Sequence, residues 1–169
     1  MKGLKVDAVI DAPIQTVWSC AVDLDKWAET MQAITRVEKL TDGPVGVGTR
    51  FSETRVMFGR EATEEMTISR FDAPTAMGFD AFSSGTKYYS EMRFEAMGHG
   101  QTRLTIEFNA EPQKLMAKVL GGLMSGLMRK HVEQALLGDL ADMKAACEVE
   151  AGGAMTDGLG EEWGGEADG

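Results

Sequence analysis

The chain has 169 residues, with 17 Lys and Arg against 27 Asp and Glu, and its formal charge is −10. This length suits a single domain with a sizeable buried core. The acidity excludes a general nucleic-acid binder, because phosphate recognition requires clustered Lys and Arg.

The first elements are a strand and two short helices. Val6, Ala8 and Ile10 alternate with polar residues, which predicts the strand. Pro13 suits the first turn of a helix, and apolar residues recur after it every three or four positions. A second short helix is predicted over 25–31. The N-terminal segment lacks the apolar run of a signal peptide, and no stretch reaches about 18 apolar residues, so we expect a cytoplasmic protein.

Six strand patterns follow, separated by segments rich in turn-forming residues. They cover roughly 33–40, 48–58, 60–71, 76–82, 86–96 and 102–110. Beyond Pro112 the pattern becomes helical and continues to about Cys147. This order predicts an α+β fold, in which a curved seven-stranded antiparallel sheet wraps around the long C-terminal helix.

Two segments carry a resemblance to a known family. APIQTVW lies in the first predicted helix, and GPVGVGTRF leads into the third strand. Together with the order of elements, they resemble the polyketide cyclase/dehydrase and lipid-transport family of the START-like (SRPBCC, Bet v 1-like) superfamily. The resemblance covers about residues 3–147. It implies a helix-grip fold with a deep cavity between sheet and helix that binds hydrophobic small molecules.

Strand alternation indicates which side chains face the helix. In the strand over 86–96, Tyr88, Ser90, Met92 and Phe94 share one face, and we predict that this face points inward. Extending the argument along the chain, we predict that the ligand is bound by Trp18, Phe51, Arg55, Met66, Met77, Phe79, Tyr88, Met92, Phe94, Ile106 and Phe108. The same apolar residues would fill the core of any such sheet, and that alternative stays open.

Charged residues interrupt the inward face of two strands. If Phe51 points inward, Glu53 and Arg55 point inward with it, and Glu64 follows the same alternation on the next strand. Buried charges are costly unless paired, so we expect Glu53, Arg55 and Glu64 to form an ion-pair network that could hold a ligand's carboxylate, carbonyl or hydroxyl. The alternative is a bulge that turns these charges towards water.

The long helix carries an apolar stripe formed by Met128, Val132, Leu136, Leu140 and Met143. Small residues, among them Gly121 and Ser125, precede the stripe and would leave space beneath the helix. We therefore predict that Gly121, Ser125 and Met128 contact the ligand. Close packing of helix and sheet is the alternative explanation.

A second apolar face of this helix is predicted to be a contact surface. It is formed by Leu115, Val119, Leu123 and Leu127, with Lys and Arg nearby. Exposed apolar patches mark partner or membrane contacts. A transient membrane contact or a homodimer is therefore predicted there.

The C-terminal tail is acidic and rich in glycine. Between Glu148 and Gly169 there are seven acids and no Lys or Arg, so we predict a folded domain over 1–147 and a disordered tail over 148–169. The two cysteines, Cys20 and Cys147, lie far apart in the sequence. They form neither a zinc signature nor a disulfide framework, and no metal or cofactor is predicted.

These patterns favour a binding protein over an enzyme. The leading hypothesis is sequestration or transport of a lipid, polyketide or isoprenoid-like molecule. The alternatives are a polyketide-type cyclase or dehydratase and an interaction module acting through the helix patch. If the chain is an enzyme, its candidate catalytic residues are Arg55, Glu53, Glu64, Tyr88 and Ser90, acting by general acid–base chemistry.

Overall fold

Seven strands form one antiparallel sheet in the computed structural model, which describes residues 3–57, 59–113 and 115–157. The side chains of residues 112, 115–125 and 154–157 are outside this description. The strands are β1 Leu4–Ile10, β2 Ile34–Lys39, β3 Arg50–Met57, β4 Arg60–Asp72, β5 Ala76–Ser83, β6 Thr86–Met97 and β7 Gln101–Pro112.

The strand order across the sheet is β1-β7-β6-β5-β4-β3-β2. Strands β2 to β7 form the predicted meander, and β1 joins it by pairing with β7. Register shifts in β2 and β4 mark bulges, which bend strands. The α+β helix-grip fold expected from the sequence is confirmed, and every predicted end of these six strands lies within two residues of the observed end.

The helices are α1 Ile14–Val22, α2 Trp27–Thr30 and α3 Leu115–Asp157, with a short 3₁₀ turn at Leu24–Lys26. Helix α3 packs against β1, β7 and α1. Its residues Leu140 and Met143 are buried in the core. Within the described residues, no helix is long and apolar enough to cross a membrane.

Helix α3 continues ten residues past its predicted end, because acidic side chains of the predicted tail find partners. A Glu148 carboxylate oxygen accepts hydrogen bonds from the Asp11 backbone N–H at 2.8 Å and from Lys144 Nζ at 2.5 Å. A Glu150 oxygen accepts one from Cys20 Sγ at 3.1 Å. The predicted boundary at 147 is therefore wrong for residues 148–157. Residues 158–169 lie outside the described residues.

The two cysteines come together although 126 residues separate them in the chain. Cys20 on α1 and Cys147 on α3 are both free thiols, and Cys147 is fully buried. Hydrogen bonding to Cys147, burial and the nearby Glu150 raise the pKa of the Cys20 thiol well above its ordinary value. Both residues act as small packing groups at the contact between the two helices.

Candidate functional site

A cavity of about 230 Å³ lies between the inner face of the sheet and the middle of α3. Strands β3 to β7 form one wall, α3 forms the other, and the α2 region closes one side. Ten of the predicted site residues line it: Glu53, Arg55, Glu64, Met66, Phe79, Tyr88, Ser90, Met92, Ile106 and Phe108.

The strand register explains why these residues meet. Ser90 lies opposite Phe79 on β5 and opposite Phe108 on β7, so the three side chains project from the same face of the sheet. On the other half of the sheet, β3 and β4 pair without a shift from Arg50 to Met57. The alternative of a bulge that turns the charges of β3 outward is therefore wrong, and Phe51, Glu53 and Arg55 share the inner face.

Three charged side chains form the polar end of the cavity. Arg55 Nε donates to Glu53 Oε1 at 2.5 Å, and Arg55 Nη2 donates to Asp139 Oδ2 at 3.0 Å. Asp139 comes from α3, so the pair joins the helix to the sheet. The expected network is thus confirmed for Glu53 and Arg55, but the second carboxylate bound to Arg55 is Asp139 and not Glu64.

Glu64 completes the polar end without binding Arg55. It lies opposite Glu53 in the β3–β4 pairing and lines the cavity. Its charge contributes to raising the pKa of Glu53. The cavity therefore has three carboxyl groups and one guanidinium among the residues that line it.

Burial controls the protonation of this cluster. Desolvation raises the pKa of both Glu53 and Asp139, and the charge of Arg55 offsets only part of that effect. Burial acts to lower the pKa of Arg55, but Glu53 and Asp139 outweigh it and the pKa is raised. The guanidinium stays charged, while the two carboxyls hold a proton more readily than carboxyls in water do.

One oxygen of Asp139 has no hydrogen-bond partner. Asp139 is 8% exposed, and its Oδ1 is the buried side-chain polar atom left unsatisfied among the described residues. An unsatisfied buried polar atom costs roughly 1–3 kcal/mol. Asp139 itself lines the cavity, so the unsatisfied oxygen belongs to a residue of the cavity wall.

The rest of the lining is aromatic and aliphatic. Tyr88 and Phe108 lie with their ring centroids 5.9 Å apart. Desolvation raises the pKa of Tyr88, and the Glu64 charge adds to that rise, so its hydroxyl stays protonated. Five methionines also line the cavity, and their flexible thioether side chains adapt to ligands of different shape.

Several predicted site residues lie away from the cavity. Trp18 packs edge-on against Phe71 and Phe94, with centroids 5.1 and 5.3 Å away. The ring of Phe51 packs edge-on against the ring of Trp27, with centroids 5.7 Å apart. Both regions belong to the core, as does the fully buried Met77. The predicted ligand contacts at Trp18, Phe51, Met77 and Phe94 are therefore replaced by core packing.

The predictions on the first part of α3 have different outcomes. Met128 is partly exposed and does not line the cavity. Leu127 is 62% exposed, and the contact surface proposed around it stays a prediction. The remaining predicted residues have side chains outside the described residues, namely Leu115, Val119, Gly121, Leu123 and Ser125.

Eight lining residues were not among the predicted site residues: Trp27, Met31, Met57, Val132, Ala135, Leu136, Asp139 and Met143. Those on α3 had a usable signal, because positions 132, 136, 139 and 143 recur at helical spacing. Asp139 falls on the apolar stripe by that spacing, but the predicted stripe was composed of apolar residues only.

The comparisons with known proteins agree with this architecture. The sequence model described as polyketide cyclase / dehydrase and lipid transport matches residues 1–148. No curated protein matches the sequence.

Three solved structures show the same fold. An aromatase/cyclase from a Streptomyces species, named Zhui, has a TM-score of 0.74 at 15% identity, covering 87% of this chain and 93% of its own. A Thermus thermophilus protein has a TM-score of 0.71 at 19% identity, covering 88% and 99%. A START superfamily protein from Mycobacterium smegmatis has a TM-score of 0.61 at 12% identity, covering 83% and 98%. At these identities the likeness is one of fold.

Proposed function

The chain belongs to the polyketide cyclase/dehydrase and lipid transport family, and from this we propose that it binds a hydrophobic small molecule in the cavity beneath α3. The observation that carries the proposal is the cavity itself, which has an apolar wall and a small polar end. Ligand sites are typically apolar clefts with a few placed polar groups that fix orientation. Sequestration or transport of the molecule is the role we propose.

The cavity volume limits the size of the ligand. Pockets that take drug-sized ligands measure roughly 300–1,000 Å³, and this cavity measures about 230 Å³. A compact molecule, such as a small polyketide or a short isoprenoid, suits that space. A lipid with two long acyl chains does not.

Filling the cavity tests the proposal. Ala135 lines it from α3, whereas Ala141 is exposed on the same helix. Ala135→Leu should weaken binding of a small aromatic probe by about tenfold or more, since the added side chain occupies ligand space. Ala141→Leu is the matched control and should bind normally. Equal affinity of both variants, measured by titration calorimetry, would exclude this cavity as the site.

A second candidate function is cyclisation or dehydration of a carbonyl compound. It is supported by Glu53 and Asp139, whose raised pKa lets a buried carboxyl hold a proton for transfer to a leaving hydroxyl. Arg55, Tyr88 and Ser90 line the same space and could orient the substrate. Incubation with a polyketone, followed by mass spectrometry, should reveal loss of water that Glu53→Gln slows. An unchanged rate in Glu53→Gln would remove Glu53 from the reaction.

A further inference from the structure

The polar end of the cavity has more acceptors than donors. Glu53, Glu64 and Asp139 face it, and Arg55 is the cation among the described lining residues. Two of the guanidinium N–H groups of Arg55 are already bound to Glu53 and Asp139. The six carboxyl oxygens of this end therefore outnumber the remaining N–H groups of Arg55, and the hydroxyls of Tyr88 and Ser90 line the same cavity.

Asp139 has one oxygen that lacks a hydrogen-bond donor among the described residues. Asp139 lines the cavity, its Oδ2 is bound by Arg55, and its Oδ1 is buried and has no partner among the described residues. A buried acceptor is satisfied by an N–H or O–H group, and hydrogen bonds to a charged acceptor are the stronger ones. A donor group of a bound molecule is one source of such a group.

The same arrangement opposes an acidic ligand. A carboxylate placed here would add a negative charge beside three carboxyl groups, and charges repel more strongly in a partly buried site than in water. Burying an anion is costly unless a cation pairs with it, and the guanidinium of Arg55 is flanked by Glu53 and Asp139. A fatty acid is therefore a poor occupant.

We propose that the cavity selects an apolar molecule whose polar group is a hydrogen-bond donor, either a hydroxyl or an amine bound at Asp139 Oδ1, and rejects apolar acids. This inference rests on the proposed function, since it names the ligand class of that cavity. It makes Asp139 a specificity-determining residue.

A matched set of probes tests the inference on the full chain. The probes are naphthalenemethanol, naphthylmethylamine, acetonaphthone, naphthoic acid and methylnaphthalene, which share one ring system. The alcohol and the amine should bind about tenfold tighter than methylnaphthalene, and naphthoic acid should bind most weakly. Acetonaphthone can only accept hydrogen bonds, so its affinity should stay near that of methylnaphthalene. Titration calorimetry measures all five.

Two variants test whether Asp139 is responsible for the tighter binding of the alcohol and the amine. Asp139→Leu removes the acceptor, so the preference for the alcohol and the amine over methylnaphthalene should fall by about tenfold. Glu133→Leu is the matched control, because Glu133 lies on the same helix, is exposed and does not line the cavity. It should leave the preference intact. If Asp139→Leu fails to fold, Asp139→Asn gives the second reading, in which the amine loses more affinity than the alcohol.

The outcomes separate the two proposals. If methylnaphthalene binds but the alcohol and the amine bind no better, the inferred selectivity is wrong and the proposed function stands. Tightest binding of naphthoic acid or acetonaphthone would likewise overturn the selectivity. If none of the five probes binds, the proposed function falls, and the selectivity falls with it.

Discussion

Asp139 Oδ2 on α3 lies 3.0 Å from Arg55 Nη2 on β3, and this ion pair joins the helix to the strands that line the cavity. Arg55 also binds Glu53, so one guanidinium holds two buried carboxylates from different elements. The arrangement combines a structural tie with a ligand-facing polar group. Replacing either partner should therefore affect both stability and binding.

Arg55→Met should destabilise the fold by about 3 kcal/mol at neutral pH, because it leaves two buried carboxylates without a cation. The loss should become smaller as pH falls, since the raised pKa of Glu53 and Asp139 lets them take up protons at a higher pH than carboxyls in water do. Urea unfolding at a series of acidic to neutral pH values measures the effect. Arg36→Met is the control, because the Arg36–Glu38 ion pair is exposed. An Arg55→Met loss that does not change with pH would contradict this account.

Asp139→Asn should raise the stability at neutral pH, by about 0.5–2 kcal/mol. The pKa of Asp139 is raised in the fold, so the free energy of unfolding falls as pH rises through that folded value. The amide carries no charge and avoids this loss. The difference between variant and wild type should therefore be largest at neutral pH and should vanish below about pH 4. Thermal unfolding across this range tests it, and a less stable variant at neutral pH would refute it.

Glu148→Gln should weaken the attachment of the last turns of α3, at a cost of about 1 kcal/mol at neutral pH. The Asp11 backbone N–H, followed by Lys144, lowers the pKa of Glu148 in the fold. Its contribution is therefore present above the ordinary Glu pKa and is lost as pH falls through the lowered value. Glu133→Gln, at an exposed position on the same helix, is the control. Equal effects of the two variants in urea unfolding would show that the Asp11 contact contributes nothing.

Cys20 should react slowly with a thiol reagent although its side chain is only partly buried. Hydrogen bonding to Cys147, burial and Glu150 raise the pKa of its thiol, and the thiolate is the reactive form. In the native chain the modification rate at about pH 8 should be about tenfold or more below the rate in urea. Colorimetric disulfide exchange measures both rates. Similar rates in the two states would indicate that Cys20 lacks these partners.

Most of the sheet and half of the site follow from local patterns in the sequence. Strand side chains alternate with a period of two, so the expected inward position of Phe51 assigns Glu53 and Arg55 to the same face. The helix contributed less, because the predicted stripe contained only apolar residues and did not include Asp139, although its spacing from Leu136 and Met143 is helical. Charge alone is a poor guide where a partner such as Arg55 lies 84 residues away in sequence.

The sequence does not show in the same way which residues after α1 face the cavity. Trp27 and Met31 line the cavity from a single helical turn and the residue after it, where no period extends far enough to show a face. The predicted disordered tail was wrong for residues 148–157 for a related reason. Glu148 accepts a hydrogen bond from the backbone N–H of Asp11, 137 residues away in the sequence. The composition of a segment cannot predict such a contact.

The position of Trp27 makes its indole an intrinsic fluorescent probe of the cavity. Its indole N–H donates to the Ala21 carbonyl at 3.2 Å, which holds the ring in place, and its ring lines the cavity. Trp18 is enclosed by Phe71 and Phe94 instead. A molecule entering the cavity changes the surroundings of the Trp27 indole and leaves those of the Trp18 indole unchanged, while the third tryptophan, Trp163, lies outside the described residues. Ligand arrival can therefore be followed through intrinsic tryptophan emission, without a label.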